Sequence, residues 1–172
     1  TRLTDNIIGL SFDQVDSVPN NRGIFIDGTE GASGTEIGGA QVPGNTIGGN
    51  TGAGIEIFFS ENNVVQRNSI GIRSDSFTAA PNSGAGVFLR GGARDNFIGD
   101  ANGFLLNYIA YNGGDGIHVD GATTRFNLLQ RNMIYENGGL GIRLSSNSQD
   151  GIAPPAINPL DINSAVTGQT VA

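Results

Sequence analysis

Residues 112–119 read Asn-Gly-Gly-Asp-Gly-Ile-His-Val, and this short pattern decides the fold. In the form N-x-G-x-G-[IV]-x-[IVL] it occurs four times, at 50–57, 82–89, 112–119 and 137–144, with a degenerate copy at 23–26. The glycines before the apolar runs, at positions 23, 54, 86, 116 and 141, are 25 to 32 residues apart. A period in this range is the signature of a repeat architecture in which each period is one structural unit.

Two further apolar segments occur within each period. One follows Asn, as in Asn63-Val64-Val65, and the other has the form Asn-x-Ile, as in Asn68-Ser69-Ile70. Segments of three to five residues, bounded by Gly or Asn, are too short for helices. We therefore predict that equivalent segments of successive periods stack about 4.8 Å apart as parallel strands.

The sequence predicts an all-β fold: a right-handed parallel β-helix, or solenoid, of about five coils with three parallel sheets. We expect residues 1–22 to form an incomplete N-terminal coil or cap, residues 23–145 the β-helix repeats, and residues 146–172 a Pro-containing C-terminal cap, linker or exchangeable strand. Alternate apolar side chains of the segment that follows each corner glycine should stack inside the helix. These two inward ladders are Ile24, Ile55, Val87, Ile117 and Ile142, and Ile26, Ile57, Leu89, Val119 and Leu144.

The corners between strands explain the abundance of Gly and Asn. A tight bend needs positive φ or close backbone approach, which Gly allows, and Asn is the other residue that tolerates the left-handed region. Stacked Asn side chains can also hydrogen-bond along the axis, as amide ladders do in cross-β stacks. We therefore expect asparagine ladders at the corners.

The repeats between residues 45 and 144 resemble those of the right-handed parallel β-helix repeat proteins, the pectate-lyase-like superfamily, in its Gly/Asn-rich secreted bacterial type. That superfamily includes pectate lyases, polysaccharide hydrolases, epimerases, phage tailspikes and surface adhesins. The resemblance implies the fold, but it is compatible with all these activities and with none.

Composition limits the classes of function. The 172 residues include 28 Gly, no Cys, 16 Asp or Glu, and nine basic residues, all Arg, for a formal net charge of −7. This charge repels a phosphate backbone, so nucleic acid is not an expected partner. No run of about 18 apolar residues is present, so we expect no membrane span. Such an acidic, Cys-free repeat chain is typical of secreted bacterial proteins, and we expect an extracellular or cell-surface location.

The positions two and four residues after each corner glycine should point outward, and they form the richest candidate face. Sugar-binding β-helices use such a lateral face, where charged groups and aromatic rings flank the substrate. The alternative is a solvated face on which Arg90 and Asp120 form a surface ion pair between neighbouring strands. The candidate glycan-binding residues are Phe88, Arg90, His118, Asp120 and Arg143, with Glu56 also expected to face outward.

A second candidate surface is an apolar row that would contact a partner if it faces outward, or would belong to the core if the pleat runs the other way. It consists of Val64, Phe97 and Leu128, with Tyr108 and Met133 near the next strand.

Catalytic and metal signatures are weak. With one His and no nucleophile-elbow motif, the sequence does not predict a Ser-His-Asp site, and we predict no catalytic residue, cofactor or metal. Calcium held by carboxylates, Asp115 with Asp120 or Asp95 with Asp100, is the remaining alternative.

The repeat signal outweighs the catalytic signal. We expect a non-enzymatic extracellular structural or surface protein whose β-helix assembles with copies of itself, or with neighbouring domains of a longer chain, into a filament, sheath or layer. One alternative is a carbohydrate-binding or carbohydrate-active module that holds a polysaccharide on the face around Arg90, His118 and Asp120. Another is a fragment of a phage or adhesin fibre, which trimeric association would distinguish.

Overall fold

The structure, a computed structural model, describes residues 1–39, 43–100 and 105–151. Its strands follow one another three to a coil, and a four-residue turn, α1 (Ser148–Gly151), comes after them, with Gln149 and Asp150 in the left-handed conformation. Coil 1 contains β1 (Arg2–Leu3), β2 (Ile7–Ile8) and β3 (Ile24–Asp27); coil 2 contains β4 (Glu36–Gly38), β5 (Thr46–Ile47) and β6 (Ile55–Phe58); coil 3 contains β7 (Val64–Gln66), β8 (Ser69–Ile70) and β9 (Val87–Arg90); coil 4 contains β10 (Phe97–Gly99), β11 (Tyr108–Ala110) and β12 (Ile117–Asp120); coil 5 contains β13 (Leu128–Gln130), β14 (Met133–Tyr135) and β15 (Ile142–Ser145).

Every strand pairs in parallel with its equivalents in the adjacent coils, which gives three sheets of five strands each. Sheet 1 is β1-β4-β7-β10-β13, sheet 2 is β2-β5-β8-β11-β14, and sheet 3 is β3-β6-β9-β12-β15. The predicted all-β parallel β-helix of about five coils and three sheets is confirmed. Part of the predicted 1–22 segment lies in β1 and β2, and residues 152–172 of the predicted C-terminal segment lie outside the described residues.

The core is a stack of branched aliphatic side chains, and strand register places both predicted ladders in it. Ile55 lies beside Val87, and Val87 beside Ile117, with all three side chains fully buried. The last coil differs, because Ile142 is 46% exposed and Leu144 is 39% exposed. The inward face of coil 5 at sheet 3 is therefore much more open to solvent than that of coils 2 to 4.

Asparagine ladders follow all three corners, as predicted. In the ladder before sheet 3, Asn50 Nδ2 donates to Asn82 Oδ1 at 2.7 Å, and Asn82 Nδ2 donates to Asn112 Oδ1 at 2.9 Å. Most interior amides also donate to a backbone carbonyl of the preceding coil, as Asn82 does to Ile47. The ladders are Asn63, Asn96 and Asn127 before sheet 1; Asn6, Asn45, Asn68, Asn107 and Asn132 before sheet 2; and Asn20, Asn50, Asn82, Asn112 and Asn137 before sheet 3.

The expectation that these asparagines take up the left-handed corner themselves is wrong. At nine of the thirteen ladder positions, the residue directly before the asparagine has positive φ, and only one of these nine residues is glycine. A left-handed non-glycine residue costs about 1–2 kcal/mol, and the amide bonds of the next residue offset that cost. Residues with positive φ in this position are Asp5, Gly49, Asn62, Arg67, Asp95, Tyr111, Phe126, Arg131 and Glu136.

The glycines that precede sheet 3 are needed for close approach. A Cβ on Gly54 would lie 2.8 Å from Gly86 O in the next coil and 2.8 Å from Ile70 Cγ2 inside the helix. Both distances are too short for a side-chain carbon, so any larger residue would force the coils apart.

Candidate functional site

The outer face of sheet 3 carries all five predicted glycan-binding residues, on coils 3, 4 and 5. Strand register aligns the outward side chains in two rows that run along the helix axis. The first row is Phe25, Glu56, Phe88, His118 and Arg143; the second row contains Asp27, Phe58 and Arg90, and Asp120 beside Ser145.

Glu56 is the buried charge of this face. Its side chain is 6% exposed and lies between two guanidinium groups: Arg22 contacts Oε2, and Arg90 Nη2 lies 2.6 Å from Oε1. Arg90 Nε also donates to Oε1, at 2.8 Å. The predicted Arg90–Asp120 ion pair is therefore wrong. The reason is that a desolvated carboxylate needs cationic partners more than an exposed carboxylate does.

Aromatic rings fill the middle of the same face. Phe88 and His118 stack with ring centroids 4.9 Å apart and an interplanar angle of 29°. The Arg90 guanidinium lies 4.6 Å from the centroid of the Phe58 ring, within the range of a cation–π contact. The face is thus a platform of rings and a cation above a buried carboxylate.

A hydrogen-bonded chain leads from His118 to the C-terminal coil. His118 Nε2 lies 2.8 Å from Ser145 Oγ, and Ser145 Oγ donates to Asp120 Oδ1 at 2.7 Å. On the other side of the ring, His118 Nδ1 lies 3.5 Å from Asp115 Oδ2. The sequence did not suggest that a Ser, a His and two Asp residues meet. Because the Ser145 proton is directed to Asp120, the hydroxyl accepts from His118 and is not held as a nucleophile activated by it.

Two carboxylates fix this part of the face. Asp115 is nearly buried; its Oδ1 accepts from the Leu140 N–H at 2.8 Å, and its Oδ2 accepts from Arg143 Nε at 2.8 Å. The hydroxyl of Ser145, followed by that of Ser146, lowers the pKa of Asp120 below its ordinary value of 3.8. Asp120 is therefore ionised at neutral pH.

A cavity of about 280 Å³ opens beside the platform, and its lining includes Arg22, Glu56, Phe88, Asp115 and His118. Of these residues, the sequence predicted Phe88 and His118 for glycan binding and offered Asp115 as a calcium ligand. The sequence did not predict that Arg22 and Asp115 line this face, because they lie in the corner before sheet 3 and not on the strands. Their signal was their place just before the repeated glycines, Arg22 before Gly23 and Asp115 before Gly116.

The predicted partner surface is split between two faces. Val64, Phe97 and Leu128 are aligned in one outward row on sheet 1, where Leu128 is exposed and the other two are half-buried. Tyr108 and Met133 lie side by side on sheet 2. The pleat therefore turns Val65 and Ile98 inward, while the predicted residues face outward.

Within the described ranges, no group of three or more His, Asp or Glu side chains is placed to hold a metal ion, and neither predicted calcium pair forms part of one. In the same residues, no helix is long and apolar enough to cross a membrane.

The fold places the chain in the class of parallel β-helices. In comparisons with protein-family models, with curated proteins and with solved structures, no match was found.

Proposed function

We propose that this chain is a non-enzymatic extracellular structural or surface protein, a β-helix scaffold that stacks on copies of itself into a filament, sheath or layer. As part of the same proposal, we place it with the right-handed parallel β-helix repeat proteins of the pectate-lyase-like superfamily. The Asn- and Gly-rich repeat supports that placement, and the open C-terminal coil carries the proposal of assembly.

The apolar side chains of coil 5 support a contact at this end. Ile142 and Leu144 continue the inward ladders, but they are 46% and 39% exposed, whereas their equivalents in coils 2 to 4 are fully buried. Leu140, in the corner before them, is 56% exposed. Covering these side chains would recover about 25 cal/mol for each Å² of apolar surface removed from water.

The direction of the ladders favours a second copy as the covering partner. Each amide donates to the asparagine of the next coil, so a ladder ends in donors at coil 5 and begins with acceptors at coil 1. Among the described residues, Asn132 and Asn137 donate to no further asparagine, and no amide donates to Asn6 Oδ1 or Asn20 Oδ1. The C-terminal end of one copy thus complements the N-terminal end of another.

The ladder before sheet 1 ends differently. Gln149 Oε1 accepts from the Asn127 N–H at 3.1 Å, and Gln149 Nε2 donates to the Asn127 carbonyl at 2.6 Å. Gln149 therefore takes the place of the next asparagine at one corner, whereas no residue up to 151 takes that place in the other two ladders. A contact between different ends is heterologous, and it produces an open filament when its rotation does not close a ring.

Light scattering and negative-stain electron microscopy over a concentration series test this proposal. We expect rods whose mean length grows with concentration, and a monomer when Ile142→Glu places a charge on the open end. Phe59→Glu is the matched control, because Phe59 is 59% exposed at a corner of coil 2 and should leave assembly unchanged. A monomer at every concentration, a closed trimer, or rods that persist with Ile142→Glu would each refute the proposal.

A further inference from the structure

Two loops of the same construction leave the helix at the same corner, after β2 on coil 1 and after β8 on coil 3. The loop 10–17 is closed by the antiparallel bridge Leu10–Ser17, and the loop 72–79 by the bridge Ile72–Ala79. Each loop contains an aspartate at its fourth position, Asp13 or Asp75, followed by a residue with positive φ. The corresponding corner of coil 2 has no such loop and consists of Gly48 and Gly49. Gly49 packs against the first loop.

Hydrogen bonds hold the two loops together across coil 2. Gln14 Nε2 donates to Ser74 Oγ at 3.0 Å, and the Ser74 N–H donates to Gln14 Oε1 at 2.9 Å. Asp75 Oδ1 accepts from the N–H groups of Phe77 and Thr78, both at 2.9 Å. The loops are therefore one ordered wall, held by both side-chain and backbone hydrogen bonds.

This wall carries the two most exposed aromatic side chains of the described residues. Phe12 is 93% exposed and Phe77 is 82% exposed. Neither ring contributes to the core, although burying a Phe side chain stabilises a fold by about 1.5–3 kcal/mol. Large apolar side chains that an ordered backbone holds in water are typical of binding surfaces.

A groove of about 520 Å³ lies between this wall and the outer face of sheet 2. Phe12 and Gln14 line it from the wall, and the outward side chains of successive coils, Thr46, Ser69 and Tyr108, form its floor. Most of the remaining lining is also uncharged, and includes Asn6, Asn45, Ser74 and Ser76. The two charged side chains in the lining are Asp5 and Arg67, of opposite sign.

We infer that this groove binds a segment of a neutral polysaccharide along the helix axis. Hydroxyl side chains can both donate to and accept from sugar hydroxyls, and the ring of Phe12 offers an apolar surface to the C–H face of a sugar. The floor repeats its hydroxyl groups at the coil spacing of about 4.8 Å, which suits a polymer of repeated sugar units. The groove has no excess of either charge, so an acidic or basic polymer gains no electrostatic attraction there.

Affinity gel electrophoresis tests this inference with hydroxyethyl cellulose, amylopectin or galactomannan as the neutral probe and polygalacturonate as the acidic probe. We expect at least one neutral polymer to retard the full chain, with at least tenfold weaker binding for Phe12→Ala and for Tyr108→Ala. Phe59→Ala is the matched control, because Phe59 is an exposed ring at a corner of coil 2 that does not line the groove, and its removal should leave retardation unchanged.

The inference is overturned by no retardation with any neutral polymer, by retardation only with polygalacturonate, or by the same loss of binding with Phe59→Ala as with Phe12→Ala. Light scattering on the same variants distinguishes a contact with a second copy of the chain from a contact with a glycan. Loss of self-association with Phe12→Ala, without any loss of polysaccharide binding, would assign the wall to a second copy and overturn the inference.

Discussion

The asparagine ladders and the outer face of sheet 3 are built on the same five coils, but only the ladders repeat from coil to coil. A ladder position must hydrogen-bond its equivalents above and below, so the same side chain is required each time. An outward position has no such requirement, and the first row of sheet 3 contains a carboxylate, an imidazole and a guanidinium in Glu56, His118 and Arg143. The difference teaches that the chemically varied side chains of this protein lie where the repeat is broken.

The largest effect is expected where a ladder is cut in its middle. Asn82→Ala removes the acceptor of Asn50 Nδ2 and the donor to Asn112 Oδ1. Asn50 and Asn112, which lose these partners, are both buried. An unsatisfied buried polar group costs about 1–3 kcal/mol, so we expect the free energy of unfolding to fall by about 4 kcal/mol. Circular dichroism during urea denaturation measures this free energy of unfolding.

Asn137→Ala is the matched comparison, because Asn137 ends the same ladder and is partly exposed. Water can replace its amide there, so the loss should be about 1–2 kcal/mol. Equal losses for the two variants would contradict the idea that interior ladder bonds are worth more than terminal ones.

A smaller effect is expected from the buried charge of the outer face. Glu56→Gln leaves Arg22 and Arg90 without their carboxylate partner, and we expect the free energy of unfolding to fall by about 2–3 kcal/mol. Glu61→Gln is the control, because its ion pair with Arg94 is open to solvent and should contribute less than about 1 kcal/mol. If the control proves as costly as Glu56→Gln, burial does not determine the strength of these pairs.

The smallest effect is a local one in the loop 72–79. Hydrogen bonds from the Thr78 hydroxyl, the Thr78 N–H and the Phe77 N–H lower the pKa of Asp75 from 3.8 to about 2. Since the pKa is depressed in the folded loop, its stabilisation is complete above pH 4 and is lost as pH falls towards 2. We expect the Asp75 carboxyl carbon to titrate by NMR near pH 2, with faster exchange of the Phe77 amide as it does so.

Asp75→Asn removes this titration and serves as its control, because the amide carries no charge at any of these pH values. A titration midpoint of Asp75 near 3.8 would show that, in solution, the hydrogen bonds of the loop do not stabilise the ionised carboxylate.

The fold could be predicted because its causes are local and repeated. The spacing of Gly54, Gly86 and Gly116 set the coil length, and alternation along strands such as 117–120 identified the inward side chains. The predicted asparagine ladders follow from the same repetition.

The partners of single side chains could not be predicted in this way. The pairing of Arg90 with Glu56 depends on burial, which the sequence does not show, and Asp115 reaches Arg143 from a corner and not from a strand. The paired loops were missed because their shared spacing, glycine four residues before aspartate at Gly9 and at Gly71, also occurs in strands of sheet 3, at Gly23 and at Gly116.

The uniform direction of the ladders has an electrical consequence. In each ladder the side-chain carbonyl points towards the N-terminal end of the rod, as in Asn45, Asn82 and Asn96. Backbone dipoles largely cancel within a β-sheet, but aligned amides add along their axis as peptide units do in an α-helix. The molecule is therefore an oriented dipole with its negative pole at coil 1, so copies that approach end to end attract in one orientation and repel in the other.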